Sequence, residues 1–315
     1  MNNCLICYKP LDHRTERYHP RCCQRLFGQH TAPELPYAYD ELKDMAKKVV
    51  RSRVSVPGVQ AKLSLCLDSS IRRNSRFTLV GLWGDYILKP PLAAYPFMPE
   101  IEHLTMHLAT LFNIETVPHG LILLRSGETA FITLRIDRMP GGEKLHMEDM
   151  CQLSERLTED KYRGSMEQIG KIIKKYSSNP LFDCIRFFDL VLFSFLTGNA
   201  DMHLKNFSVI YPVDGMVKLS PAYDLLATRL LIPEKDDPEE MALTINGRKR
   251  RLDKMDFLSL AENLGLNEKQ VVNVFMRFSK ALHEAHAAIG RGFLPGEKAE
   301  IYRRLLADRA QRLGL

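Results

Sequence analysis

Near residue 148 the hydrophobic pattern of the chain passes from mostly strand-like to mostly helical, and that change constrains the fold more than any other feature. Between residues 55 and 140, apolar side chains recur at every second position, as in Leu63-Ser64-Leu65-Cys66-Leu67. This is the period of a strand with one buried face. From about residue 148 onward they recur every three or four positions, the period of helices packed on a core. The predicted fold class is therefore α+β, with a β-rich N-terminal lobe followed by a helical C-terminal lobe. A chain of 315 residues, 45% of them hydrophobic, can build both. The expected segments are a cysteine-rich start (1–33), the β-rich lobe (34–140) and the helical lobe (141–315), with Met139-Pro140-Gly141-Gly142 at the seam.

Within this frame the elements follow from pattern and punctuation. A helix is expected over 34–50. A Pro57-Gly58 turn precedes the first strand, and "RFTLVG" and "DYILKP" give two more, the last stopped by Pro90-Pro91. A helix follows over 99–113, opened by a proline and acidic residues. Two strands then flank Ser126-Gly127 within 117–140. Later helices are expected over 148–157, 165–177, 181–197, 253–264, 267–289 and 296–312. They are interrupted by β-like "FSVIY" and "VKLSPAYDLL" around Asp214-Gly215. The basic run "NGRKRR" (246–251) suits a hairpin with a solvated face.

A net charge of +6 fits an anionic ligand or partner but is too small to name nucleic acid. No apolar run in the first thirty residues suggests a secretory signal. The most apolar stretch, 185–196, is broken by Arg186 and Asp189 and is shorter than the ~20 residues a membrane span needs. A cytoplasmic protein is expected.

Seven cysteines lack the spacing of a disulfide framework. Four lie in the first 23 residues, and Cys4, Cys7, His19 and Cys22 form a CxxC–HxxC set. Thiolates and an imidazole at this spacing can converge on one tetrahedral zinc ion. With all four positions filled, such a site would be structural. The other reading is a reduced, cysteine-rich start without metal.

The densest chemistry lies in "TGNADMHLKNFSVI" (197–210), where Asp201, His203, Lys205 and Asn206 fall within six residues between two apolar runs. Buried surroundings do not tolerate such groups unpaired, so the loop must be ordered. Asp201 and Asn206 keep the D-x-x-x-x-N spacing of a phosphoryl-transfer loop. There the Asp accepts the proton of an attacking hydroxyl and the Asn offers a neutral oxygen to Mg²⁺. Lys205 is placed to neutralise charge on the transferring group, and His203 to contact phosphate or purine. Asp224, in "PAYDLL" after a strand, is placed as a second metal ligand beside Tyr223, although Asp-Leu-Leu stands where Asp-Phe-Gly is usual. Upstream, Lys89 ends the strand "YILK" as an ATP-positioning lysine does, and Glu102 on the next helix is placed to pair with it. "SVPGVQAK" has one glycine where a glycine-rich loop usually has three, but it offers a turn, a following strand and Lys62 to meet phosphate.

On these residues the chain resembles the HipA family of bacterial Ser/Thr protein kinases, the toxins of toxin–antitoxin modules. The matching segments are "SVPGVQAKLSL", "YILKP", "EHLTMHLA", "FITLRIDR", "LHMEDMCQ", "GNADMHLKNFS" and "PAYDL", in family order over about 55–227. The resemblance implies a two-lobed protein-kinase-like fold, ATP with Mg²⁺ as cofactor and a protein hydroxyl as acceptor, an aminoacyl-tRNA synthetase among known targets. It places the catalytic base at Asp201 and the magnesium ligands at Asn206 and Asp224. It places the ATP lysine at Lys89 and the phosphate loop at Pro57, Gly58, Val59, Gln60, Ala61 and Lys62. The adenine hinge falls on Leu134, Arg135 and Ile136, with Leu134 where an acid is often found.

Ser55 matches the loop serine that family members autophosphorylate. About two negative charges there would displace the loop from the ATP phosphates. Pro57 replaces a second serine of some relatives. Only 54 residues precede Ser55, too few for the N-terminal β-subdomain of longer family members. This suggests the short HipT-type kinases, which work with a small HipS-type protein and a HipB-type DNA-binding antitoxin. Two alternatives share the residues: a small-molecule kinase, and a nucleotide-binding regulatory subunit that docks a repressor without transferring phosphate.

Overall fold

The computed structural model describes residues 3–13, 16–52, 62–68, 75–80, 84–139 and 143–315. By its internal packing the chain forms two units. One comprises Met1–Leu104, Val117–Gly142 and Arg291–Leu294, the other Thr105–Thr116, Glu143–Gly290 and Pro295–Leu315. Residues 105–116, inside the expected first lobe, thus group with the second unit. The α+β class and the order of an antiparallel sheet before a helical part are as read from the period.

The elements of the first stretch are α1 (Pro20–Phe27), α2 (Tyr39–Ser52), β1 (Leu63–Asp68), β2 (Arg76–Val80), β3 (Tyr86–Lys89), α3 (Met98–Leu111), β4 (His119–Leu123) and β5 (Thr129–Leu134). The second helix starts later than expected because Glu34 is drawn alongside Arg76 and Pro36 disfavours a helical residue before it. The five strands form one antiparallel sheet in the order β2-β1-β3-β5-β4. Alternation gives it two chemically different faces. Leu65, Phe77, Tyr86, Leu88 and Ile132 share one core with Cys23, Leu26 and Phe27 of α1. Lys89, one residue beyond Leu88, points to the opposite face, where the register sets it beside Phe131.

The second unit continues with β6 (His146–Asp149), α4 (Met150–Leu153), α5 (Met166–Tyr176), α6 (Pro180–Leu196), β7 (Ser208–Tyr211), β8 (Lys218–Leu219), α7 (Lys254–Asn263), α8 (Glu268–Arg291) and α9 (Gly296–Leu313). The helix expected over 148–157 is corrected: residues 146–149 are a strand paired with β7, followed by one helical turn. Asp149 and Gln152 cap that turn reciprocally, and Glu155 at φ 56° ends it. Strand pairing here outweighs the local helical pattern. The short sheet runs β6-β7-β8. In the "NGRKRR" run, Asn246 and Gly247 both take positive φ, and Ile245 bridges Arg248 across this tight turn. Among the described residues no helix is long and apolar enough to cross a membrane.

Helix α6 carries most of the second core. Phe187, Phe188, Leu192, Phe193, Phe195 and Leu196 are fully buried, and Phe193 meets Phe112 at a centroid distance of 5.4 Å. Asp189 on the same helix is buried too, with Arg277 donating to its Oδ1 at 2.6 Å. Burial pushes its carboxyl up to about 6 against the pull of Arg277. A raised carboxyl favours the protonated folded state, so this stabilisation is complete below the unfolded value near 3.8 and is lost as pH rises through about 6. Urea titrations of wild type and Asp189→Asn are expected to show it: wild type loses ~2 kcal/mol more than the variant between pH 4 and pH 7.

Candidate active site

The loop 197–207 begins where α6 ends. Thr197 caps the helix by donating its hydroxyl to the Phe193 carbonyl at 2.8 Å. Gly198 then turns the chain at φ +69°, where a larger residue would be strained by its backbone angle and by a Cβ 2.7 Å from Leu305 Cδ2. Thr228 ties the turn down: its hydroxyl accepts from the Ala200 amide at 2.9 Å and donates to the Gly198 carbonyl at 3.2 Å. The Asn206 side-chain amide donates to the Asp201 carbonyl at 2.8 Å, closing the loop on itself. Because its nitrogen is used there, the carboxamide oxygen is the atom left to face a cation.

Asp201 is exposed, and the Tyr162 hydroxyl donates to its Oδ1 at 2.8 Å. His203 is 6% exposed, its ring edge-on to Tyr162 at 5.1 Å. Burial lowers its pKa, partly opposed by the charges of Asp201 and Asp224, so at neutral pH it is an uncharged imidazole. Both carboxylates therefore act on this one ring. Its Nδ1 meets no hydrogen-bonding partner among the described residues, a buried polar atom of the kind ligands satisfy. Lys205 gives its ammonium to Asp149 Oδ2 at 2.6 Å, locking the loop to the start of α4. Tyr223 donates its hydroxyl to the Lys205 carbonyl at 3.0 Å and receives the Ser208 hydroxyl at 2.5 Å. Asp224 follows at φ 59°, in the left-handed region that aspartate adopts more readily than most residues.

In the first unit, Lys89 is 4% exposed and Glu102 0%, and the Lys89 ammonium is bound to Glu102 Oε1. The Phe131 ring lies 5.4 Å beneath the ammonium. A buried lysine is thus paired with a carboxylate one element away. At the hinge positions, the Leu134 amide donates to the Pro118 carbonyl at 2.9 Å and the Arg135 amide to the Asp85 carbonyl at 2.8 Å. The Arg135 guanidinium grips Asp137 in a fork of 2.9 and 2.6 Å. Ile136 follows in a turn. Lys62 immediately precedes β1. Ser55, Pro57, Gly58, Val59, Gln60 and Ala61 lie outside the described residues.

A second chemical cluster sits at the start of the same unit. The ligand atoms of Cys4, Cys7, His19 and Cys22 all lie within 4.8 Å of one another, so the group could hold a metal ion. The Cys22 and Cys7 thiols donate to Cys4 and pull its pKa far down, while the same pairing pushes Cys22 up.

The HipA-like C-terminal domain matches residues 54–286, most of the chain. The chain belongs to this family. A Haemophilus influenzae relative named "Putative kinase" is 30% identical over 303 residues, covering 86% of this chain and 85% of that protein. The Ser/Thr-protein kinase toxin HipA of Shewanella oneidensis is 25% identical over 260 residues, 76% of this chain and 58% of the toxin. In structure, HipA from the Shewanella HipA–HipB–operator DNA complex superposes with a TM-score of 0.66 at 22% identity, over 84% of this chain and 66% of that one. The Helicobacter pylori proinflammatory kinase CtkA gives 0.56 at 15% identity, over 75% and 87%. These two likenesses speak to the fold.

In this HipA-family chain, two residues around the loop escaped the linear reading. Tyr162 reaches Asp201 across 39 positions and Asp149 reaches Lys205 across 56. Neither stands in a spacing that marks chemistry, so only folding reveals them. The Lys89–Glu102 pair was suggested by order along the chain and is formed. Removing one partner of so buried a pair leaves an uncompensated charge. Glu102→Leu is expected to cost ~3–5 kcal/mol in denaturant unfolding, and Lys89→Met with Glu102→Leu to recover most of that loss.

Proposed function

We propose that this chain is an ATP-dependent Ser/Thr protein kinase of the HipA type, passing the γ-phosphoryl group of MgATP to a protein hydroxyl. The observation that carries this reading is the closed loop in which the Asn206 amide holds the Asp201 carbonyl while the Asp201 carboxylate stays exposed. An exposed carboxylate on a fixed backbone suits a base that must accept a proton from a macromolecular acceptor.

Asp201 takes the role of that base. Asn206 and Asp224 hold Mg²⁺, whose chemistry is to neutralise charge on the phosphates. Lys89, held by Glu102, positions the phosphates, with Lys62 and the preceding loop from Pro57 covering them. The uncharged His203 offers a ring nitrogen to the nucleotide without adding charge, and Tyr223 fixes the floor through the Lys205 carbonyl. Lys205, steadied by Asp149, brings positive charge to the loop. Adenine is read at Leu134, Arg135 and Ile136. The Leu134 and Arg135 amides already donate to the Pro118 and Asp85 carbonyls, so the Ile136 backbone is the assigned donor.

The finer parts of the proposal follow the resemblance. The acceptor is a cellular protein, an aminoacyl-tRNA synthetase by family precedent, and phosphorylation of it arrests growth. Ser55 is the autophosphorylation site. The chain works in the cytoplasm as a short HipT-type kinase with a HipS-type protein and a HipB-type antitoxin, reaching DNA only through the latter. Its cofactors are ATP, Mg²⁺ and a structural zinc ion on Cys4, Cys7, His19 and Cys22.

The test uses radiolabelled ATP, Mg²⁺ and bacterial lysate. Wild type is expected to label protein, and Asp201→Asn to lose at least about a hundredfold in transfer while melting unchanged and still binding ATP. Binding of ATP by wild type without any transfer to protein or itself would instead identify a nucleotide-sensing subunit. Label confined to small molecules would point to a small-molecule kinase.

A further inference from the structure

Residues 3–28 pose a problem of stability. Among their described residues the only helix is α1, eight residues long, which is too short to persist alone. Yet this segment supplies part of the core of the sheet that bears Lys89. Cys23, Leu26 and Phe27 are at most 3% exposed and pack with Leu65, Phe77, Tyr86, Leu88 and Ile132. The Leu121 amide of β4 donates to the Leu5 carbonyl at 3.0 Å, and the Tyr18 hydroxyl to the Leu121 carbonyl at 3.1 Å. Tyr86 of β3 donates its hydroxyl to the Leu26 carbonyl at 3.1 Å. At Gly120 a Cβ would stand 2.8 Å from Ile6 Cγ1 and 3.0 Å from Leu26 Cδ2. A segment with so little regular structure needs something to hold this close fit.

The four ligand side chains stand where that something belongs. Cys4 and Cys7 flank the tight turn of a short hairpin, in which Asn3 bridges Pro10 and the Tyr8 amide donates to the Cys4 carbonyl at 3.0 Å. His19 caps the N-terminus of α1 and Cys22 lies in its first turn. The His19 Nδ1 is 3.3 Å from the Cys7 sulfur and 3.9 Å from the Cys22 sulfur. A tetrahedral zinc site sets sulfur–nitrogen and sulfur–sulfur edges of about 3.5–3.8 Å, given its bond lengths of ~2.0–2.1 and ~2.3 Å. The other ring nitrogen, Nε2, donates to the Pro10 carbonyl at 2.9 Å. This is the outer contact that turns the Nδ1 lone pair toward a metal and links the hairpin to the helix. Cys23, next in sequence, points into the apolar core and takes no part. Three thiolates and one imidazole, closed and four-coordinate, select zinc among common ions.

We propose that zinc bound by Cys4, Cys7, His19 Nδ1 and Cys22 is the staple that holds residues 3–28 on the sheet, making the unit that carries Lys89 and Glu102 metal-dependent in its stability. This goes beyond the kinase reading and stands without it. Binding free energy at such a site is folding free energy for whatever the ligands hold together. Losing the ion frees α1 and the hairpin and bares the face formed by Leu65, Phe77, Leu88 and Ile132.

The full-length chain, purified with reduced thiols, provides the test. Elemental analysis is expected to find about one zinc per chain, kept in the control Cys66→Ser and lost in Cys4→Ser with Cys22→Ser. Cobalt substitution should give the d–d absorption of a tetrahedral thiolate site. Because the double variant can fail to fold, wild type stripped with a chelator is compared with zinc-loaded wild type by amide hydrogen exchange. Peptides covering β3, β4 and α1 are expected to exchange at least roughly tenfold faster without zinc, while those of α6 do not change. No zinc or cobalt uptake, or a disulfide among these cysteines in the reduced protein, overturns the proposal. So does zinc whose removal leaves exchange in β3 and β4 as it was.

Discussion

The hydrogen bond from the Asn206 side chain to the Asp201 carbonyl makes the rest of the candidate site intelligible, because it solves two problems with one group. A loop leaving a largely apolar helix has backbone carbonyls that need donors, and the Asp201 carboxylate has to stay accessible if it is to serve as the proposed base. Asn206 satisfies the backbone of Asp201 and leaves the charged oxygens of that residue outward. Around this closure the loop is pinned at both ends, by Thr228 on Gly198 and Ala200 and by Asp149 on Lys205. Fixing the backbone beforehand means that little ordering remains when reactants arrive.

The electrostatics of the two units follow one pattern, in which a functional group is buried only with its counterpart. Lys89 goes into the sheet with Glu102, and Asp189 into the helical core with Arg277. Asp201 stays exposed, as does its neighbour Tyr162, which suits the role proposed for it. His203, buried between charges of both signs, responds by staying uncharged. Each outcome reflects the cost of desolvating a charge against the geometry available to compensate it.

Not every sequence-level expectation survived folding. The pattern over 148–157 is compatible with a helix, but β6 forms there because its partner β7 offers a ladder of backbone hydrogen bonds from Ser208 to Tyr211. Local periodicity cannot see such a partner 60 residues away. Lys205, placed by its spacing to neutralise charge on a transferring phosphoryl group, has its ammonium on Asp149, a partner that spacing could not show. The basic turn 246–251 is the exposed hairpin its composition suggested, with Arg248 paired to the buried Asp256 and Lys249 to Glu239.

The amino-acid sequence by itself determined the α+β class, the positions of most strands and long helices, the D-x-x-x-x-N loop, and the CxxC–HxxC set. All of these reside in spacing along the chain, which backbone geometry translates directly into faces and turns. Tertiary structure alone decided which side chains compensate one another. It set Tyr162 on Asp201, Asp149 on Lys205, Phe131 under Lys89 and Pro10 behind His19. Such contacts join residues from different elements, and only the register and packing of those elements bring them within hydrogen-bonding distance.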